Sequence, residues 1–124
     1  MAAWHAALAA PAWDNPPVWV HADLLPVNLV ARHGKLSAII DFSGLGAGDP
    51  AIDMLPAWTL LTARTRGLFR AAADVGDATW LRGRGWGLGL GIGAVHFYRS
   101  TNPVLAAIGL RAIREATADY QDGS

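Results

Sequence analysis

The sequence has no cysteine, only one lysine and only one glutamate among its 124 residues. Without cysteine, the chain has no disulfide, no thiolate nucleophile and no cysteine-ligated zinc, and such a composition is typical of a cytoplasmic protein. Lys35 is therefore the only residue open to any reaction step that requires a lysine amine. These absences remove several classes of enzyme before any motif is considered.

The sequence also has no excess of positive or negative charge and no long hydrophobic run. Ten basic and ten acidic residues give a formal net charge of zero, so the chain has no electrostatic footprint for nucleic acid or for an anionic membrane. The longest uncharged run in the second half covers residues 85–98, which is shorter than the ~20 residues of a transmembrane helix. We therefore expect neither nucleic acid nor a membrane as a partner.

The composition is that of a folded domain, because hydrophobic residues make up 52% of the chain and charged residues 16%. No linker and no long internal repeat divides the chain, so residues 1–124 are expected to form a single domain. Strand-like patterns fall within residues 17–55, and residues 56–124 are expected to be helical. The predicted fold class is α+β, mainly α-helical, with one small β-hairpin.

The hairpin is predicted from two short apolar runs, residues 29–31 and 36–40, that flank the letters RHGK. Gly34 in that turn supplies the position that needs a positive φ. Residues 20–28 are then a loop that enters the hairpin, and Asp41 follows directly after its second strand. Polar residues in both places are thus expected to lie at the base of the hairpin.

Helix starts are marked by capping residues. Asp49-Pro50 and Asn102-Pro103 each place proline directly after a residue that caps helices well, and Asp77 is predicted to cap a long helix between them. Asp49 is adequately explained by this capping role. The predicted helices cover residues 3–9, 50–63, 67–73, 78–99 and 103 onward.

Glycine recurs at every second position from residue 83 to residue 93. A dinucleotide-binding fingerprint and a Walker A loop both need two glycines five residues apart, and glycines confined to odd positions never satisfy that offset. They do satisfy an offset of four, which lets helices approach closely. Asp77 as a cap favours a helix, but a period of two also suits a strand, so both remain open for residues 82–93.

Four polar residues interrupt the most strand-like part of the chain: His21, Asp23, Asn28 and Asp41. Hydrophobic packing does not explain them, because a buried polar group without a hydrogen bond is destabilising. The spacing His21-x-Asp23-x-x-x-x-Asn28 fits the catalytic loop of kinases, and Asp41-Phe42 begins like their metal-binding segment. Phosphoryl transfer needs a carboxylate to orient or deprotonate the attacking hydroxyl and oxygen ligands to hold magnesium.

Three segments resemble the aminoglycoside phosphotransferases and their relatives among the small-molecule kinases of protein-kinase-like fold. HADLLPVN from residue 21 is similar to H-G-D-L-x-P-x-N, IIDF from residue 39 is similar to I-D-F or I-D-W, and GDPAIDML from residue 48 is similar to G-D-P-x-x-D-L-A. The resemblance implies the C-terminal lobe of a kinase-like fold, whose hairpin carries the catalytic and metal-binding loops. Ala22 replaces the family's glycine, which matters if that backbone requires a positive φ.

By that resemblance, Asp23 is the catalytic base, Asn28 and Asp41 bind magnesium and with it the nucleotide, and His21 braces the catalytic loop. Asp53 would be a carboxylate that supports the loop, although its place in the first turn of a helix is explained equally well by the helix dipole. The implied cofactors are Mg²⁺ and ATP or GTP. The implied activity moves the γ-phosphoryl group to a hydroxyl of a small molecule.

A complete kinase also has a glycine-rich loop and a strand lysine paired with a helix glutamate, all before the catalytic loop. The 20 residues before His21 contain no glycine, lysine or glutamate. We therefore expect a fragment of a longer enzyme that lacks its nucleotide-binding lobe and is inactive alone. The alternative is a naturally truncated, non-catalytic lobe that acts as a binding or assembly module. In both cases the face left open by the missing lobe is expected to favour self-association.

The expected partner is a small molecule that carries a hydroxyl. Aminoglycoside pockets are usually acidic to suit a polycation, whereas this chain is neutral and has a single glutamate. An aminoglycoside, a macrolide and an amino alcohol therefore all remain open as the acceptor.

Overall fold

The computed structural model describes residues 1–123, which form five helices and two small antiparallel sheets. The elements are α1 (Ala2–Ala9), β1 (Val18–Val20), β2 (Leu29–Arg32), β3 (Lys35–Ile39), β4 (Gly46–Gly48), α2 (Pro56–Thr59), α3 (Ala63–Ala73), α4 (Asp77–Tyr98) and α5 (Pro103–Gln121). The predicted class, α+β and mainly α-helical with a small hairpin, is confirmed. None of the helices in the described part of the chain is long and apolar enough to cross a membrane.

The hairpin of β2 and β3 forms where the sequence predicts it. Leu29 pairs with Ile39 and Arg32 pairs with Lys35. The turn between the strands uses a positive φ at Gly34, as expected, and also at His33. A second sheet was not predicted: β1 pairs with β4, two short strands that lie on either side of the hairpin in the sequence. This pairing joins the segment that precedes the hairpin to the segment that follows it.

The predicted continuous helix over residues 50–63 is wrong. Asp49 does cap a helical turn, because its side chain accepts from the Ala51 amide, but that turn is a 3-10 helix that ends at Met54. Pro56 then starts α2, since proline has no N–H to continue the ladder from the preceding turn. The chain leaves the helical conformation at Leu60, and Thr62 caps α3 as a new helix.

The cap of α4 also differs from the prediction. Gly76 is the N-cap, and Asp77 is the first helical residue. The Asp77 carboxylate instead forms an ion pair with Arg70 at the end of α3. Asn102 does cap α5, where its side chain accepts a hydrogen bond from the Leu105 amide at 3.2 Å. A carboxylate next to a helix start is thus a weaker signal than the asparagine-proline pair.

The alternating glycines lie on α4, so helix is the correct choice for residues 82–93. Two residues advance a helix by about 200°, so alternate glycines fall on opposite faces, each with an offset of four. A Cβ on Gly91 would lie 2.6 Å from the Gly109 carbonyl of α5. On the other face, a Cβ on Gly85 would lie 2.6 Å from the Ala7 Cβ of α1. The glycines therefore let α4 pack closely between two helices.

A buried cluster of charges joins α5 to the other helices. The Asp119 carboxylate accepts from Arg84 Nε at 3.0 Å and from the Trp58 indole at 3.2 Å. Arg66 lies 3.6 Å from the same carboxylate and also pairs with Glu115. The Arg84 side chain is fully buried. Because two cations and an indole share Asp119, the helical core depends on this single carboxylate.

Candidate active site

The loop from His21 to Asn28 is shaped by its own backbone. β1 ends at Val20, and the Leu25 amide then donates to the Asp23 carbonyl at 2.8 Å. Pro26 opens a short 3-10 turn, in which the Asn28 amide donates to the Leu25 carbonyl at 2.9 Å. These two bonds fold the loop back on itself, which brings the ends of the Asp23–Asn28 segment together.

Asp23 and Asn28 contact each other directly. The Asn28 side-chain amide donates to the Asp23 carbonyl and to Asp23 Oδ2, both at 2.9 Å. Asn28 is buried, whereas Asp23 is partly exposed. The two amide protons of Asn28 are thus committed to Asp23, and this fixes the orientation of one Asp23 oxygen. The second oxygen, Oδ1, has no hydrogen bond within residues 1–123.

His21 is held at both ring nitrogens. Its Nε2 donates to the Ile40 carbonyl at 2.9 Å, and its Nδ1 accepts from the Asp23 amide at 3.1 Å. An amide donor requires that Nδ1 carry no proton, so the proton of the neutral ring lies on Nε2. The ring also meets the edge of Phe42, at a centroid distance of 4.8 Å. His21 therefore ties the loop to the segment that carries Asp41, and neither nitrogen is free for proton transfer.

The Asp53 carboxylate fixes the start of the loop from the other side. Its two oxygens accept from the His21 amide and the Ala22 amide, each at 2.9 Å. Asp53 lies in the 3-10 turn that follows Asp49, 32 residues along the chain from His21. A carboxylate that accepts two backbone N–H groups is a strong, geometrically specific anchor.

Ala22 adopts a left-handed conformation, with φ of 70°. For a residue with a Cβ this conformation is unfavourable by roughly 1–2 kcal/mol, whereas glycine adopts it freely. Ala22 stands where the resembling family has glycine, a replacement that matters only if the backbone requires a positive φ. The backbone does require it. The two hydrogen bonds to Asp53 hold the loop in that shape despite the strain.

Asp41 lies two residues after the end of β3 and is also left-handed, with φ of 57°. Its Oδ1 accepts from the Ser43 hydroxyl at 2.6 Å and from the Ser43 amide at 3.3 Å. These two hydrogen bonds, the hydroxyl first, hold the pKa of Asp41 below its ordinary value. Asp41 is exposed, and its Oδ2 makes no hydrogen bond within residues 1–123.

Asp23, Asn28 and Asp41 all line one cavity of about 420 Å³. The opposite wall is apolar and comes from the end of α4 and the start of α5, which sequence reasoning did not connect with the catalytic loop. Its side chains include Leu90, Tyr98, Leu105 and Ile108. The sequence gives no sign that these residues border the loop from His21 to Asn28. Three of the four polar residues that the sequence singled out thus line one cavity, whereas His21 and Asp53 hold the loop without lining that cavity.

Asp49 lies outside this group and forms a pair that the sequence did not predict. Arg82 Nε and Nη2 donate to its two oxygens at 2.7 Å and 3.0 Å. Burial raises the pKa of Asp49, but the hydrogen bonds from Arg82 and the Ala51 amide outweigh it and leave the pKa below its ordinary value. Arg82 also donates to the Pro11 carbonyl, so this pair joins α4 to the loop after α1.

The donor set fits magnesium bound together with a phosphate. Residues 1–123 contain no group of three or more histidine, cysteine or acidic side chains that could hold a metal ion. Magnesium does not require such a cage, since it usually takes one or two carboxylates and completes its shell with water and phosphate oxygens. Asp41 offers an exposed, ionised carboxylate, and the Asn28 amide oxygen is left over once its protons bind Asp23.

Comparisons with known proteins agree with this arrangement at the level of a family. No curated protein and no solved structure gives a significant match to the chain. The model of the phosphotransferase enzyme family matches residues 1–86, a range that holds the loop from His21 to Asn28, the hairpin, Asp41 and Asp53. Since the match covers more than half of the chain, the chain belongs to the phosphotransferase enzyme family.

Proposed function

We propose that the chain is the catalytic lobe of a phosphotransferase that moves the γ-phosphoryl group of ATP or GTP to a hydroxyl of a small molecule. The observation that carries the proposal is the shared cavity of Asp23, Asn28 and Asp41. A base and two oxygen ligands at one concave site are the parts that phosphoryl transfer asks of a protein. Membership of the phosphotransferase family supports the same reaction class.

Asp23 acts as the base in this proposal. Asn28 holds Asp23 Oδ2, which leaves Oδ1 to accept the proton of an attacking hydroxyl in the cavity. Since the Asn28 amide also holds the Asp23 carbonyl, the carboxylate and its backbone are positioned by the same side chain. The substrate therefore meets a carboxylate whose direction is already set.

Asn28 and Asp41 would hold the magnesium ion, and the ion when bound would neutralise charge on the phosphate oxygens. His21 and Asp53 are positioning residues. His21 links the Asp23 amide to the Ile40 carbonyl next to Asp41, and Asp53 holds the two amides at the start of the loop. The distance between base and metal ligands is thus maintained by groups that do not touch the substrate.

Lys35 does not hold the nucleotide in this proposal, because it begins β3 at the turn of the exposed hairpin. In this proposal, a nucleotide-binding lobe outside these 124 residues supplies the lysine and the glycine-rich loop that hold the nucleotide phosphates. The chain alone is accordingly expected to be inactive, and activity is to be measured on the enzyme that contains it.

The test is phosphoryl transfer from ATP and GTP, labelled in the γ-phosphate, to a panel of small-molecule alcohols with magnesium. Asp23→Ala is expected to lower turnover by roughly 10²–10⁴-fold, the usual contribution of a general base. Asp14→Ala is the matched control, because Asp14 is an exposed aspartate outside the site. Turnover of Asp23→Ala within tenfold of the control contradicts the assignment of the base. Absence of transfer from either donor would favour the alternative, a non-catalytic binding or assembly module.

A further inference from the structure

A second and larger cavity lies beside the catalytic loop, with a volume of about 760 Å³. Its walls come from α1, the loop that follows it, the 3-10 turn after Asp49 and the middle of α4. The side chains that define its character are Trp4, Leu8, Ile52, Leu55, Trp86 and Leu90. Concave, mostly apolar sites of about 300–1,000 Å³ are typical of small-molecule binding.

This cavity borders the site of the proposed base. Ala22 lines it, and Ala22 is bonded to Asp23, which lines the smaller cavity. Leu90 lines both cavities, so one side chain of α4 separates them. A molecule that fills the larger cavity and extends past Leu90 would therefore reach the smaller cavity, which Asp23 lines.

The cavity has room because small residues line it where two helices meet. Ala7 and Gly85 bring α1 and α4 together, and a Cβ on Gly89 would lie 3.5 Å from the Trp4 ring without a clash. Trp86 borders the same space and is half exposed. Two indole rings thus present flat apolar surface to whatever fills the cavity, and such rings contribute strongly to binding.

The residues that line the cavity carry no net charge. Asp49 and Arg82 are the charged residues among those that line it, and they pair with each other through two hydrogen bonds. A polycation would need carboxylates that are not already paired, because each buried charge requires a partner. The lining therefore selects against a molecule with several ammonium groups and suits an uncharged one.

We propose that this cavity binds the body of an uncharged, largely apolar alcohol and directs its hydroxyl to Asp23. The inference rests on the proposed function for the identity of Asp23 and names the class of acceptor that this function takes. Among the acceptors that the sequence leaves open, it selects a neutral macrocyclic or polycyclic alcohol over an aminoglycoside. Trp86 and Leu8 are specificity residues in this account.

Binding to the 124-residue chain tests the inference without magnesium or nucleotide, so the result does not depend on phosphoryl transfer. The probes are erythronolide B, an uncharged macrocyclic lactone with hydroxyls, and kanamycin A, a polycation. Titration is followed by NMR of the tryptophan indole protons. We expect erythronolide B to shift the Trp4 and Trp86 signals but not that of exposed Trp19, and kanamycin A to shift none of them.

Matched variants sharpen the result. Trp86→Ala is expected to weaken erythronolide B binding about tenfold, while Trp19→Ala, which removes an exposed indole away from the cavity, leaves it unchanged. Leu8→Asp places an unpaired carboxylate at the cavity and is expected to weaken the uncharged probe and strengthen kanamycin A. Leu68→Asp is its control, because Leu68 is an equally exposed leucine on α3.

Two results overturn the inference: tighter binding of kanamycin A than of erythronolide B to the unmodified chain, or no binding of erythronolide B that depends on Trp86. If binding that depends on Trp86 is found while the enzyme shows no phosphoryl transfer, the cavity assignment stands and the proposed function fails. If transfer depends on Asp23 but the cavity does not bind, the reverse holds.

Discussion

The helices and the hairpin of this chain differ in what holds them. Every residue of β3 is exposed, whereas α4 buries eight residues among its neighbours. The residues assigned to chemistry lie beside the hairpin, and the close packing lies among the helices. Because apolar burial supplies most of the folding free energy, the difference indicates that the helical part stabilises the molecule, whereas the hairpin part carries the polar groups that are proposed to react.

Polar contacts are among those that join the two parts. Asp53 belongs to the turn that leads into the helices, and it binds the His21 and Ala22 amides of the loop. Changes within the helices should therefore act mainly on stability, while changes at this junction should act mainly on activity. The predictions below test that division.

The largest effect is expected at the core. Asp119→Ala leaves Arg66 and Arg84 without their shared carboxylate, and removal of one partner from a buried ion pair costs about 3–5 kcal/mol. Denaturant unfolding measures the change, with Asp14→Ala as the control. If the loss is below about 1 kcal/mol, the range for exposed pairs, the cluster does not hold the helices together.

A pair of glycine variants on α4 tests the close packing directly. Gly91→Ala puts a Cβ 2.6 Å from the Gly109 carbonyl, whereas Gly93→Ala puts one where no atom lies within 4 Å. Both variants gain the same helix propensity, roughly 1 kcal/mol, so their difference reports the clash. We expect Gly91→Ala to be less stable than Gly93→Ala by about 1–3 kcal/mol, the usual penalty of overpacking. Equal stability contradicts the packing described for α4 and α5.

Asp53→Asn breaks the junction rather than the core. The amide keeps one acceptor oxygen, so one of the two loop N–H groups loses its partner, at about 1–2 kcal/mol. Turnover is expected to fall by a larger factor than stability alone explains, because Asp23 is no longer held in place. Unfolding and kinetics on the same preparation measure both quantities. A variant that loses stability but keeps full turnover shows that Asp53 does not position the loop.

The smallest effect is expected at Ala22. Glycine relieves roughly 1–2 kcal/mol of left-handed strain but adds about 0.4–1 kcal/mol of chain entropy to the unfolded state. Ala22→Gly should therefore stabilise the protein by up to about 1.5 kcal/mol, which thermal unfolding detects. Destabilisation instead would mean that the Ala22 methyl makes contacts worth more than the strain. Lys35→Gly, at the exposed start of β3, is a control in which no strain is relieved.

The sequence predicts which polar residues lie together better than it predicts the path of the chain around them. Asp23 and Asn28 are five residues apart, so one short loop places them together, and the hairpin returns Asp41 to the same end. Local spacing fixes such contacts. The capping residues alone did not predict that the 3-10 turn ends at Met54, where Pro56 then starts a new helix, or that this helix ends before Leu60.

Pairs distant in the sequence were missed for a different reason. Arg82 and Asp49 lie 33 residues apart, and Arg84 and Asp119 lie 35 apart. Each arginine has several acidic residues within reach in an unfolded chain, and nothing in its neighbours selects the partner. The alternating glycines gave the spacing of the close contacts on α4, but not which helices would fill them.

The most direct measurement of the central claim maps a divalent ion on the chain. Mn²⁺ replaces magnesium and broadens the NMR signals of nearby amides, so even weak binding is located. The account predicts that broadening is strongest at Asn28, Asp41 and Ser43 and is lost in Asp41→Asn. Broadening centred on other carboxylates, such as Asp77 or Asp122, with Asn28 and Asp41 unaffected, would contradict the assignment of these residues as one site.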